Sequence, residues 1–392
     1  MKHSNRQLYM HRREFLSLLG LLGGAASITV FLDACQRAGV VTTLEPTATG
    51  VLKTPFVSPS STVETTATKE AFPTEDNPTS TAPATPSTER TGVAKISLVK
   101  TKNRAEGVRL AIDLLGFNPV ASRDVFLKPN FNSADPTPGS THLDVLRALV
   151  LKLSEMGAGK ITVGDRSGMG NTRQVLQSLG VFTLANELGF DTLVLDEQRA
   201  EDWVRINPSG SHWRQGFPFA RACLESEALV QTCCLKTHRY GGHFTMSLKN
   251  SVGMVAKLVP GESYNYMNEL HSSPDQRSMI AEINSAYQPA LVVLDGLEAF
   301  VNGGPDKGKL VRPGVVLAGS DRVAIDAVGV GILRYFGTTP EVTNGAIFQQ
   351  EQIARAVELG LGASSPDQIE LVTDDKESET FATQLREILN ND

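Results

Sequence analysis

Ala228-Leu229-Val230-Gln231-Thr232-Cys233-Cys234-Leu235 runs directly into Lys236-Thr237-His238-Arg239-Tyr240-Gly241-Gly242-His243-Phe244-Thr245-Met246-Ser247-Leu248-Lys249-Asn250. The first part reads as a strand buried on both faces, the kind that occurs in parallel sheets covered by helices. The second part packs two lysines, two histidines, an Asn and the hydroxyls of Thr237, Thr245 and Ser247 into one short segment. A strand ending here delivers Lys236 and His238 to its carboxyl end, where open α/β sheets gather their ligands. One His alone is usually a hydrogen-bonded structural residue, and one Lys a solvated charge. Their density here, beside Gly241 and Gly242, which let the backbone approach a bound group, favours a site over a polar loop.

Outward from this stretch, strands and helices alternate. Strands are expected over 95–99, 124–127, 160–164, 192–195, 291–294, 315–317 and 369–372. Helices are expected over 104–115, 141–156, 172–179, 277–287, 322–335 and 346–359. The helix over 141–156 shows Leu143, Leu146, Leu149, Val150, Leu153 and Met156 at helical spacing, Thr141 and Asp144 suited to a capping box, and Gly157 as its stop. Such alternation implies an α/β fold with a largely parallel sheet covered by helices on both faces, in one large domain or two lobes.

Each polar motif follows one of these strands. Lys128, Asn130 and Asn132 come after the second, and Asp165, Arg166 and Ser167 after the third. Asp295 is expected to end the strand over 291–294. Gly303-Gly304-Pro305 with Gly308 forms either a loop presenting N–H groups to an anion or a tight turn. Asp321 suits the N-cap of the next helix, whereas Asp326 inside that helix needs a Lys or a backbone amide to answer it. No Walker sequence or G-x-G-x-x-G occurs, so nucleotide binding finds little support. The candidate catalytic residues are Lys236, His238 and Lys249. The candidate ligand-binding residues are Lys128, Asn130, Asp165, Thr245, Ser247, Asn250, Asp295, Gly303 and Gly304. A metal would have to draw on His238, His243 and His271, without a Cys partner or an H-E-x-x-H helix.

Four ordered motifs carry a family resemblance. The pattern K-T-H-x(n)-T-x-S-L-K-N-x-x-G, from Lys236 to Gly253, resembles the signature of the domain-of-unknown-function family 362. So do Leu127-Lys128-Pro129-Asn130, then Leu294-Asp295-Gly296 with Asn302-Gly303-Gly304-Pro305-Asp306-Lys307-Gly308, and Gly319-Ser320-Asp321-Arg322-Val323-Ala324-Ile325-Asp326-Ala327-Val328. The resemblance spans residues 95–340. Some members of that family carry a ferredoxin-like module with iron–sulfur clusters. This chain has 4 Cys and lacks that spacing, so no iron–sulfur cluster is expected, and any other cofactor is unknown.

The amino-terminal part reads as an export and tethering device. Residues 1–34 resemble a twin-arginine signal peptide, with Lys2, Arg6, Arg12 and Arg13 ahead of the apolar run over 15–32. Leu32-Asp33-Ala34-Cys35 resembles a lipobox that would make Cys35 the lipidated first residue, with an uncleaved anchor as the alternative. Residues 35–92 are dominated by Thr, Ser, Pro and Ala, too poor in apolar surface to offset the entropy of ordering, and read as a tether. Residues 93–392 form the α/β domain. A net charge of −6 and pI near 5.7 argue against nucleic acid, which needs a concentrated basic surface. Cys223, Cys233 and Cys234 read as small buried hydrophobes.

The expected partners are thus an anionic small molecule and the membrane, through the lipid; the oligomeric state is open. Two functions fit: an exported, membrane-tethered enzyme using general acid–base chemistry on a carboxylate- or phosphate-bearing molecule or cofactor, or a non-catalytic solute-binding or cell-envelope interaction module using the same cluster.

Overall fold

The apolar run opens β7 (Ala228–His238), whose 11 residues are all buried and which carries Lys236 and His238 within its carboxyl-terminal end. The computed structural model describes residues 92–391, and these fall in one compact unit. The signal-like segment, Cys35 and the tether up to residue 91 lie outside the described residues.

Around β7 the sheet runs in the order β12-β1-β11-β9-β7-β2-β3-β4. Its members are β1 (Ala94–Lys100), β2 (Val125–Lys128), β3 (Ile161–Asp165), β4 (Asp191–Val194), β9 (Leu291–Gly303), β11 (Val315–Gly319) and β12 (Ile369–Thr373). The block β9-β7-β2-β3-β4 is parallel throughout, as is the pair of β12 and β1, while β11 runs antiparallel to both its neighbours. Two short strands fold back on the sheet: β8 (His243–Thr245) on β7, and β10 (Gly308–Val311) on β9. A separate ribbon pairs β5 (Trp203–Ile206) with β6 (Phe217–Ala220). The expected α/β fold, a mostly parallel central sheet flanked by helices, is what forms.

Alternation along β9 shows both faces covered. Val292 and Leu294 join one apolar cluster with helices Arg322–Tyr335 and Lys376–Asn390, whereas Leu291 and Val293 join another with helices Arg104–Leu115 and Leu143–Glu155. A third cluster, rich in aromatic residues, includes Trp213, Phe217, Phe219 and Tyr266. Cys223, Cys233 and Cys234 are buried and unpaired, and burial raises all three thiols, as expected of small core residues.

Several local expectations are corrected. Asp295 does not end its strand; β9 continues because its pairing with β7 resumes after a register shift, Cys234 facing Asp295 and Leu235 facing Ala299, and β10 then pairs with its last residues to Gly303. Thr141 and Asp144 form no capping box. His142 is the N-cap, its Nδ1 accepting from the Asp144 N–H at 3.1 Å, while Thr141 Oγ1 accepts from the Asn130 N–H at 2.8 Å. The helix expected over 346–359 starts only at Glu351, after a short 3-10 turn at Ile347–Gln349. The helix Arg322–Tyr335 has the expected limits, with Asp321 Oδ1 accepting from the N–H groups of Val323 and Ala324.

Candidate functional site

Three neighbouring parallel strands end at one cavity. Lys128 closes β2, Asp165 closes β3, and Lys236 and His238 lie at the end of β7, so strand direction alone brings side chains far apart in sequence to one edge. The cavity holds about 540 Å³ and is lined by Lys128, Asn130, Asp165, Lys236, His238, Thr245, Lys249, Asn250 and His271 among the residues expected from sequence.

Two of the lysines are fully engaged with the protein. Lys128 Nζ lies 2.7 Å from Asp165 Oδ1 and donates to Pro129 O at 2.6 Å and Asn250 Oδ1 at 3.0 Å. Burial lowers its pKa, and Asp165 opposes the shift. Asp165 Oδ2 in turn accepts from the Phe131 N–H at 2.7 Å. Lys236 has no carboxylate beside it, yet its Nζ donates to Gly139 O at 2.5 Å and Asn130 Oδ1 at 2.9 Å. Burial lowers it too.

Lys249 differs. It is only 7% exposed and has no hydrogen-bond or ion-pair partner among the described residues. Burial first, and then the charges of Arg166 and Lys236, pull its pKa down to about 8. Burial followed by Lys249 and Lys236 holds His238 well below its ordinary value, so its ring is neutral. His238 Nδ1 is buried with no partner, and the ring meets Tyr240 edge-on at 5.9 Å. His271 Nδ1 sits 2.6 Å from Met267 O, which fixes the proton on Nδ1 and leaves Nε2 a lone pair; burial and Lys249 lower this residue as well.

Arg166 follows its strand as expected, but its part in the site was not foreseen from sequence. Its guanidinium donates to Val252 O at 2.5 Å and Ser167 O at 3.2 Å, while Nε has no partner. Asn132 Nδ2 and Thr245 Oγ1, also on the lining, are likewise buried without partners. Lys257, Asn265 and Asn268 complete this side of the cavity. They come from a segment without motif or periodicity, so sequence offered no signal for them. The lining thus contains the buried cations Lys128, Arg166, Lys236 and Lys249 against Asp165 as its one carboxylate.

Other expected residues lie elsewhere. Asp295 is turned to Arg104, 3.0 Å away, and accepts from the Leu297 N–H. Ser247 is consumed by the fold, its N–H donating to Asp326 Oδ1 at 2.7 Å and its hydroxyl to Gln231 Oε1 at 2.8 Å. With the Leu248 N–H on Oδ2 at 3.1 Å, Asp326 is answered by two backbone amides, one of the two kinds of partner expected for it. Burial pushes its carboxyl up to about 8 against the pull of those amides. Gly303 and Gly304 make a tight turn: the Gly304 N–H donates to Lys307 O, and Gly304 O accepts from Arg239, so only Pro305 of that loop reaches the cavity. His243 is on β8 and does not line the cavity. Among the described residues no three His, Cys, Asp or Glu side chains converge as metal ligands.

The chain is similar, at 28% identity over 255 residues (62% of this chain, 75% of the relative), to a thylakoid-associated protein from Synechocystis sp.. Among solved structures, the lactate racemase apoprotein from Thermoanaerobacterium thermosaccharolyticum is similar with a TM-score of 0.37 and 17% identity, over 61% of this chain and 56% of that one. The profile of the family described as domain of unknown function (DUF362) matches residues 125–331, which include every residue of the cavity named above. The chain belongs to the DUF362 family.

Proposed function

We propose that the cavity binds a small molecule or cofactor bearing a carboxylate or phosphate, and that the bound group undergoes general acid–base chemistry with Lys249 or His238 as the base. The observation that carries this reading is the charge balance: four buried cations line one cavity that offers a single carboxylate, and several lining residues carry polar atoms without a partner. An anion entering it would supply the missing acceptors in a low-dielectric setting, where such contacts are strong. A neutral imidazole beside a lysine of lowered pKa suits proton transfer near neutral pH.

Calorimetric titration at pH 7 with inorganic phosphate and with oxalate tests this. The wild-type chain is expected to bind at least one of them, and Lys249→Met to weaken that binding by at least about tenfold. Absence of binding by both anions, or unchanged affinity in the variant, would overturn the reading.

The same proposal places this domain outside the cytoplasm, exported by the twin-arginine route and held at the membrane through Cys35, on the strength of the segment over 1–34 and the Thr/Ser/Pro-rich stretch after it. Cys35→Ala is expected to move the protein from the membrane to the soluble fraction after cell lysis. Full retention in the membrane would point to an uncleaved anchor.

A further inference from the structure

We infer that Lys249 Nζ condenses with the carbonyl carbon of a small anionic aldehyde or α-keto acid, which the cavity then holds as an imine. This rests on the anion-binding reading and narrows it to one substrate class.

The lysines of the cavity divide by what their nitrogens already do. Lys128 and Lys236 spend theirs on a carboxylate, amide oxygens and backbone carbonyls. Lys249 spends its nitrogen on nothing, although its side chain is buried too. An amine on a buried side chain with no acceptor from the protein is held, partly desolvated, for whatever enters its cavity. The charges of Lys128, Arg166, Lys236 and Lys249 together draw an anionic group into the cavity, and of the three lysines Lys249 alone has a nitrogen with no partner among the described residues, so it can both help hold the anion and reach a carbonyl carbon next to it. Burial, and then the charges of Arg166 and Lys236, disfavour a charge on it, so a usable fraction of the amine is free at neutral pH.

The neighbours supply the proton traffic. Gly242 lies under both Lys249 and His238: a Cβ there would meet Lys249 Cε at 2.9 Å and His238 Nδ1 at 3.1 Å, so the absence of a side chain lets the two approach. In the condensation the amine nitrogen attacks the carbonyl carbon, forming the C–N bond while the C=O π pair moves to oxygen. One nitrogen proton passes through the lone pair of His271 Nε2 or the ring of His238 to that oxygen, giving the carbinolamine. Loss of the hydroxyl with the second nitrogen proton releases one water and leaves the C=N bond. Nothing is oxidised or reduced, and no further reactant is needed.

The test is reductive trapping on the full chain, with glyoxylate as probe and sodium cyanoborohydride as reductant, followed by peptide mass mapping, in parallel with calorimetry using oxalate. Oxalate carries the charge but no aldehyde. Label is expected on the peptide containing Lys249, protected by inorganic phosphate, and lowered at least about tenfold in Lys249→Arg, which keeps the charge but forms no imine. If wild-type protein binds oxalate but Lys249 takes no label, the imine is overturned and the anion-binding reading stands. If neither oxalate nor phosphate binds, both fall. Label that phosphate does not protect, or that Lys249→Arg retains at the same peptide, marks adventitious lysine chemistry and overturns the imine. Wild-type mapping and phosphate protection decide the matter even where the Arg variant folds poorly.

Discussion

Lys236 and Lys249 are both buried lysines of one motif, and their substitution should have opposite effects on stability. Lys236→Met strands Gly139 O and Asn130 Oδ1, and an unpaired buried acceptor costs about 1–3 kcal/mol. Lys249→Met strands nothing and removes a charge that burial penalises. Its pKa falls from 10.5 to about 8, which amounts to at most roughly 3 kcal/mol held against the fold. Because the folded value lies below the unfolded one, protonation favours the unfolded chain. The penalty is complete below about pH 8 and vanishes as pH rises to 10.5. Urea denaturation should therefore show Lys249→Met more stable than wild type at pH 7, with the gap closing between these two values. A gap that stays constant over that range would mean that Lys249 is solvated or paired in the folded protein. Binding moves the other way, since relieving a charge that serves a ligand stabilises a fold that has lost its use for it.

At the scale of the element, the short helix Ser247–Asn250 has too few residues to hold itself, and Asp326 from the helix Arg322–Tyr335 fastens its first two N–H groups. An Asn at 326 offers one acceptor oxygen where the carboxyl group offers two. Asp326→Asn should cost about 2 kcal/mol and weaken phosphate binding, because Lys249 and Asn250 ride on that turn. Unchanged phosphate affinity alongside lost stability would separate the turn from the site. This link was partly legible in sequence: an Asp on an otherwise apolar helix demanded a partner, though not which one. The residues that sequence reading brought to the cavity, Lys128, Asn130, Asp165, Lys236 and Asn250, are mostly those that follow or close an apolar run, where direction follows from the strand. Asp295 misled because Asp295-Gly296 looks like a stop, while the continuation of β9 depends on pairing with β7, a contact distant in sequence. Gly303 and Gly304 resembled an anion cradle as much as a turn, and only the bond from the Gly304 N–H to Lys307 O decides for the turn. The spacing of apolar residues along a helix such as Leu143–Glu155 is a local property, so its body was readable, but its cap fell to His142 because Thr141 was claimed by Asn130.

At the scale of the molecule, the described residues build a core of their own. Ile96 on β1 and Leu389 near the carboxyl terminus pack into one apolar cluster, so the first strand and the last helix of the described residues complete the same layer. β1 lies inside the sheet between β12 and β11 and leaves no unpaired edge there for an earlier strand to fill. The Thr/Ser/Pro-rich composition upstream offers little apolar area to bury, and burial of such area is the main term that stabilises a domain. A protein truncated to begin at residue 93 should therefore unfold cooperatively, with a melting temperature close to that of the full chain and with phosphate affinity unchanged, since the cavity draws on residues from Lys128 onward. A drop of more than about ten degrees would correspond to several kcal/mol in a domain of this size and would show that the segment packs on the fold. A loss of phosphate affinity without a loss of stability would instead place part of the segment at the mouth of the cavity.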